Sequence, residues 1–139
     1  MTDVRPAESA DFVDVMRLFD GALLATDSDT IRMQLTGSRG CILVAEENRP
    51  VGAVALQSAD ESIDGLPWPE AVYLSAIVVH KQRRRAGLGR SLITAAAEWA
   101  APRPLAATFD ERVRGFYLAC GFEITEHNGR LWAIRSPVD

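Results

Sequence analysis

Soft metal ligands are scarce in this chain, with two cysteines and two histidines in 139 residues. Cys41 and Cys120 stand inside apolar segments, with neither CxxC spacing nor a histidine cluster beside them. A metal site is therefore not expected, and two buried thiols are. Long apolar runs are missing too. None approaches the ~20 residues needed to cross a bilayer, and the first residues are acidic and amphipathic rather than patterned like a secretion signal. A cytoplasmic protein with no membrane partner is the expectation. The chain also lacks a broad basic surface: its formal net charge is -4, whereas a nucleic-acid binder normally carries a basic face. Basic residues bunch only at Lys81 to Arg85, with no aromatics between them to stack on bases.

What is present suits one compact domain spanning residues 1–139, with 47% apolar and 24% charged residues. Thr2 to Arg5 is a possible short strand. Phe12, Val15, Met16, Phe19 and Leu23 then recur at helical spacing, with Ser9 as the expected cap. Residues 26–29 offer caps for a second short helix carrying Ile31 and Leu35 and ended by Gly37. Cys41 to Glu46 and Val51 to Gln57 read as a hairpin around Glu47-Asn48-Arg49-Pro50. Ala71 to Val79 is apolar almost throughout, as expected of a central strand buried on both faces. Gly87 to Ala100 is helical in pattern, with Leu88, Leu92, Ala95 or Ala96, and Trp99 on one side. Leu105 to Phe109 is a strand, Glu111 to Cys120 an amphipathic helix closed by Gly121, and Phe122 to Arg135 a hairpin turning at Asn128-Gly129. The order βααβββαβαββ predicts an α/β (or α+β) fold, a mixed sheet with helices on its faces.

The chemistry concentrates where the central strand runs through Arg84-Arg85-Ala86-Gly87-Leu88-Gly89-Arg90 into a helix. The glycines let backbone N–H groups approach a ligand, the helix N-terminus adds unpaired donors and partial positive charge, and Arg84, Arg85 and Arg90 add formal charge. A diphosphate is the natural occupant. A P-loop needs a Lys-Ser or Lys-Thr pair after its second glycine, and the dinucleotide fingerprint needs three glycines after the first strand. Neither pattern occurs.

Arg84-x-x-Gly87-x-Gly89 does resemble the pyrophosphate motif of the GNAT acetyltransferases, written there Arg/Gln-x-x-Gly-x-Gly/Ala, which follows the fourth strand and opens a helix. Phe116-Tyr117-Leu118-Ala119-Cys120-Gly121-Phe122 is similar to that family's Phe-Tyr-x-x-x-Gly-Phe signature. The resemblance implies a mainly antiparallel sheet flanked by helices, and an N-acetyltransferase moving acetyl from acetyl-CoA to a primary amine by direct attack in a ternary complex. It implies that residues Arg84 to Arg90 hold the pyrophosphate and that Ile77, Val78 and Val79 on a bulged strand contact pantetheine and thioester. It implies that Tyr117 is the acid toward the departing sulfur, against the plainer role of an aromatic packed with Phe116 and Phe122.

The sequence departs from the family at two places. Where many relatives carry a strand glutamate, six residues ahead of Val79, this chain has Tyr73. Glu70 is then the candidate base, working through water, with Ser75 able to orient that water; a solvated strand-end carboxylate is the plainer reading of Glu70. Where relatives carry asparagine after the fifth strand, this chain has Asp110, expected to cap the following helix. His80 is expected to cap the strand edge. The missing glutamate keeps open a non-catalytic acyl-CoA sensor with the same fold. A small amine is expected as acceptor ahead of a protein tail, with no nucleic-acid partner and with a monomer or homodimer equally compatible.

Overall fold

The computed structural model describes residues 3–21, 40–57, 67–68, 70–80 and 87–137. Strand β1 is Asp3–Pro6, helix α1 Phe12–Gly21, and strands β2, β3 and β4 are Gly40–Glu47, Arg49–Gln57 and Val72–Val79. Helix α2 is Leu88–Ala100, β5 Leu105–Thr108, α3 Arg114–Ala119, β6 Glu123–His127 and β7 Arg130–Arg135. The helix expected over residues 26–37 lies outside the described residues. The rest of the expected order is present. All seven strands form one sheet, in the order β1-β2-β3-β4-β5-β7-β6. Every neighbouring pair is antiparallel except β4 and β5.

Several boundaries move for local reasons. Ser9 does not cap α1: residues Ser9–Asp11 form a 3-10 turn, and the Asp11 carboxylate accepts the Glu8 backbone N–H at 2.7 Å. The first hairpin is tighter than the sequence suggests, because Asn48 alone turns the chain at φ 69 and β3 begins at Arg49. The segment after Asp110 starts as a 3-10 turn, Glu111–Val113, before it becomes α3. The hairpin at Asn128-Gly129 is as expected, both residues having positive φ.

Two cores sandwich the sheet. On one face α2 and α3 pack Leu92, Ile93, Ala96, Ala97 and Tyr117 against Leu43, Val54, Leu56, Val72, Leu74 and Leu105. On the other, Val15, Leu18 and Phe19 of α1 cover Val44, Ala53, Ala55, Ala76 and Val78. Burying each large aliphatic side chain contributes about 1.5–3 kcal/mol. Cys120 is buried as expected, whereas Cys41 is half-buried, being on the partly open end of β2. Burial still pushes its thiol up to about 11.

Strand β4 serves both cores by changing faces part-way. Leu56 pairs with Leu74 and Ala55 with Ala76, which leaves Ser75 as an extra residue on β4. Side chains alternate along a strand, so without this bulge Val72, Leu74, Ala76 and Val78 would share one face. With it, Val72 and Leu74 face α2 while Ala76 and Val78 face α1. The Ser75 hydroxyl donates to the Ala55 carbonyl at 3.2 Å. Replacing Ser75 by alanine should cost about 1 kcal/mol, the worth of that bond. Deleting Ser75 should instead abolish the cooperative urea transition, because every residue from Ala76 to Val79 then meets the wrong core.

Candidate functional site

Strands β4 and β5 are paired only at Val72↔Leu105 and Tyr73↔Ala106, with the Val72 N–H donating to the Pro104 carbonyl just before. Beyond Tyr73 the two share no rung: β4 stays with β3 and β5 with β7. A V-shaped opening results in the middle of the sheet, with the start of α2 at the wide end of β4.

Of the residues expected to line it, Ile77 and Val79 are half-buried on the α2 face, and Val78 is buried on the α1 face. Alternation separates them, so the three contribute backbone to one line but side chains to two faces. Gly87 is the residue ahead of α2, at φ 79 and ψ 8, a left-handed conformation that glycine adopts without strain. A Cβ there would meet nothing within 4 Å, so the first turn is open to an incoming group. The Gly87 carbonyl accepts from the Ser91 N–H at 3.0 Å, as a helix-capping residue should. The N–H groups of Leu88, Gly89 and Arg90 precede the first intrahelical donor and form the donor end of the helix.

Gly89 has a packing reason to be glycine. A Cβ at this position would lie 2.9 Å from the Phe116 ring, so its smallness lets α2 close on α3. Leu88 is buried under the same turn. Arg90 Nη2 donates to the Ala119 carbonyl at 3.1 Å, near the end of α3. This arginine thus clasps the two helices. Arg84, Arg85 and Ala86 lie outside the described residues.

Tyr117 is 4% exposed on α3. Phe109, Phe116 and Phe122 surround it at ring-centroid distances of 5.2, 5.4 and 5.2 Å. Burial pushes its phenol up to about 12, with smaller contributions from Tyr73 and Cys120. Glu70 is exposed, two residues ahead of β4. It stands three residues before Tyr73, about 10 Å along an extended chain, and so at the paired end of the V. Asp110 caps the turn that leads to α3: its Oδ1 accepts from the Arg112 N–H at 2.9 Å and from Arg112 Nε at 3.0 Å. The His80 N–H donates to the Val51 carbonyl at 2.7 Å, which holds the end of β4 against β3.

Sequence reasoning missed a polar contact that reaches from the last shared rung to the residue two beyond it on β5. The Tyr73 hydroxyl is 3.2 Å from Thr108 Oγ1, and either can donate. Tyr73 also lies 6.1 Å from the Trp132 ring, and Trp132 meets Trp68 edge-on at 6.0 Å. The unusual tyrosine on the strand was the only signal for this cluster, since its partners are 35 and more residues away.

The family model described as Acetyltransferase (GNAT) family matches residues 10–122. The chain belongs to that family. No curated protein matches it by sequence. Among solved structures, this GNAT chain is similar to NAA60 of Arabidopsis thaliana in complex with a bisubstrate analogue. That likeness has a TM-score of 0.78 at 14% identity and covers 96% of this chain and 97% of that one. It is similar also to AAC(6')-Iy in complex with the bisubstrate analogue CoA-S-monomethyl-acetylneamine, with a TM-score of 0.77, 18% identity, and 91% and 94% covered. A GNAT family acetyltransferase of Bacillus cereus ATCC 10987 gives 0.77 and 18%, with 100% and 99% covered. At these identities the likeness is one of fold. Among the described residues no group of three or more His, Cys, Asp or Glu could hold a metal, and no helix is long and apolar enough to cross a membrane.

The Tyr117 environment has a measurable consequence. Its folded value, about 12, is above the ordinary 10.0, so the unfolded chain loses this proton first as pH rises. The stabilisation is complete below about pH 10 and is lost progressively toward pH 12, about 3 kcal/mol at 1.36 kcal/mol per unit. Urea melts at pH 9 and pH 11.5 should show this loss in the wild type, and Tyr117→Phe should lack it.

Proposed function

We propose that residues 1–139 form a single N-acetyltransferase domain that moves an acetyl group from acetyl-CoA to a primary amine by direct attack in a ternary complex. The observation that carries this reading is the parting of β4 and β5 between the donor end of α2 and the phenol of Tyr117. Family membership supports it, as do the similar structures, which are complexes with acetyl-CoA or with a CoA-containing bisubstrate analogue. No metal has a part.

In this reading the N–H groups at the start of α2, with Arg84 and Arg85, hold the pyrophosphate, since amides and guanidinium groups both make charge-assisted bonds to it. Ala86, Gly87, Leu88, Gly89 and Arg90 complete the loop and first turn, Arg90 through its backbone and its positive charge while its side chain clasps α3. Ile77, Val78 and Val79 lie along the stretch of β4 that pantetheine and thioester follow. A backbone N–H there stabilises the charge that develops on the thioester oxygen.

Tyr117 supplies a proton to the departing sulfur. Its raised value keeps the proton in place at every physiological pH, and a free thiolate near ~8.5 is the weaker base. Transfer is therefore favourable only as the C–S bond breaks and the attacking nitrogen becomes acidic. For a neutral amine the balance closes internally: nitrogen loses one proton and sulfur gains one. An ammonium acceptor carries one more, which leaves by water toward Glu70 at the paired end of the V. The acceptor is a small amine ahead of a protein tail, and the setting cytoplasmic.

A non-catalytic acyl-CoA sensor is the second reading, favoured by one observation: Tyr73 stands where a strand glutamate is usual. Calorimetric titration with acetyl-CoA and CoA, followed by thiol release over an amine panel, separates the two. Binding with release on an amine class establishes the enzyme; selective binding without release establishes the sensor. Gly87→Asp should weaken acetyl-CoA binding at least about tenfold, since it sets a carboxylate against the pyrophosphate while aspartate tolerates the left-handed conformation. Tyr117→Phe should lower kcat about 10²-fold and leave acetyl-CoA affinity near wild type. Equal kcat in that variant, with chemistry rate-limiting, removes Tyr117 from the mechanism.

A further inference from the structure

Among the described residues the sheet ends at β1 on one side and at β6 on the other. An edge strand presents backbone donors and acceptors to any strand that approaches. The β1 edge is short and closes on Pro6, which has no N–H, and its Arg5 is held by Asp11 and Glu46. The β6 edge, Glu123–His127, has neither proline nor bulge and pairs residue for residue with β7. Which of its backbone groups face outward follows from the turn. Asn128 and Gly129 have φ 53 and 77, as in a two-residue type I′ turn, which closes on a hydrogen-bonded pair, here His127 and Arg130. Bonded and non-bonded pairs alternate along an antiparallel ladder. His127, Thr125 and Glu123 therefore direct their backbone groups to β7, and Ile124 and Glu126 direct theirs out of the sheet.

We propose that β6 is the contact between two copies of this chain, joined antiparallel about a two-fold axis at Thr125 into one continuous sheet. In that register Ile124 and Glu126 of each copy exchange backbone hydrogen bonds with Glu126 and Ile124 of the other, and every residue of β6 is paired. A shift by one residue sets outward groups against inward ones. A shift by two sets Glu126 against Glu126, or Ile124 against Ile124, and leaves part of the strand uncovered. A two-fold pairing also closes on itself, whereas β6 laid on the β1 edge of another copy would propagate without end.

The same register matches the charges. Glu123 and His127 are exposed at opposite ends of β6 on one face, and Arg130, the β7 partner of His127, is on that face too. Antiparallel copies set the acidic end of each against the basic end of the other, with Glu123 opposite His127 and Arg130 one strand further in. Rings fix the basic end: Trp68 meets the imidazole edge-on at 5.6 Å, and the Arg130 guanidinium is over Trp132 at 5.6 Å. Thr125 meets its own copy, a favourable cross-strand pair. On the other face the two Glu126 carboxylates stand on a diagonal, about 7–8 Å apart at their Cα atoms, with Arg135 of β7 as the cation on that face. This acidic pair opposes association, and the contact is only one strand wide. The pairing is accordingly reversible and micromolar rather than permanent. It does not depend on the acetyl-transfer reading.

The test is disulfide trapping together with sedimentation equilibrium of the full chain. Thr125→Cys sets two thiols across the axis in a non-hydrogen-bonded pair, within the ~4.4–6.8 Å between Cα atoms that a disulfide accepts. Glu123→Cys sets them about 14 Å apart along the strands. Mild oxidation should cross-link Thr125→Cys, and neither Glu123→Cys nor the wild type, whose Cys41 and Cys120 supply the background. Sedimentation from about 1 to about 300 μM should show a micromolar monomer–dimer equilibrium that weakens with added salt. Glu126→Pro removes an outward N–H, which an edge strand tolerates, and should raise Kd at least about tenfold. Glu123→Lys should raise it about tenfold, and Glu123→Lys combined with His127→Glu should return it to within about threefold of wild type, a rescue that damage to the fold does not give. A monomer throughout this range, cross-linking of Glu123→Cys as fast as Thr125→Cys, or a dimer whose Kd neither Glu126→Pro nor Glu123→Lys changes overturns the inference. Each of these outcomes leaves the acetyl-transfer reading untouched, since the acetyl-CoA titration tests that reading by itself.

Discussion

A strand buried between two helical layers must satisfy both with one alternating set of side chains. β4 does so by carrying one residue more than β3 allows. Before Ser75, Val72 and Leu74 supply the α2 core; after it, Ala76 and Val78 supply the α1 core while Ile77 and Val79 lie on the α2 side. The same irregularity lies just past the last rung with β5, so the change of faces and the parting of the strands occur within three residues. A regular β4 could continue its ladder with β5, but it could not change cores. The site is thus a product of the way the cores are packed.

Around that opening, the two tyrosines are held by hydrocarbon more than by charge. Three phenylalanine rings fix Tyr117, and burial among them accounts first for its reluctance to ionise. On the opposite face tryptophans support Tyr73. The charged contacts are elsewhere: Arg5 bridges Asp11 and Glu46 at the β1 edge, and Arg114 pairs with Glu111 ahead of α3. Those partly exposed pairs each contribute little in high-dielectric solvent, and they fasten ends of elements rather than the opening.

Much of this was legible in the sequence, because the signals were local. The unbroken apolar run of Ala71 to Val79, the helical spacing of Leu88 and Leu92, and Asn-Gly at 128–129 each encode an element through neighbours a few residues away. Asp110 as a cap was legible for the same reason, its partner being Arg112. The bulge at Ser75 was not, since an apolar strand reads alike with or without a change of face; only pairing to β3 reveals it. The Tyr73–Thr108 contact depends on a parallel pairing of strands joined through α2, and no local pattern reports the register. Gly89 was read as making room for a ligand, whereas the nearest obstacle to a side chain there is Phe116. Ser9 failed as a cap because a 3-10 turn, invisible to 3.6-residue spacing, intervenes.

The closeness of Gly89 to Phe116 and the bond from Arg90 to the Ala119 carbonyl join the start of α2 to α3 at two points. The turn that opens α2 and the tyrosine-bearing helix are therefore fastened to each other. A lineage altering either partner would have to alter the other in step, so residues 89 and 116 are expected to drift together, as are 90 and the length of the helix ending at 119. In the proposed reaction, donor recognition and proton supply, which chemistry treats as separate tasks, would be inherited in this chain as a single unit.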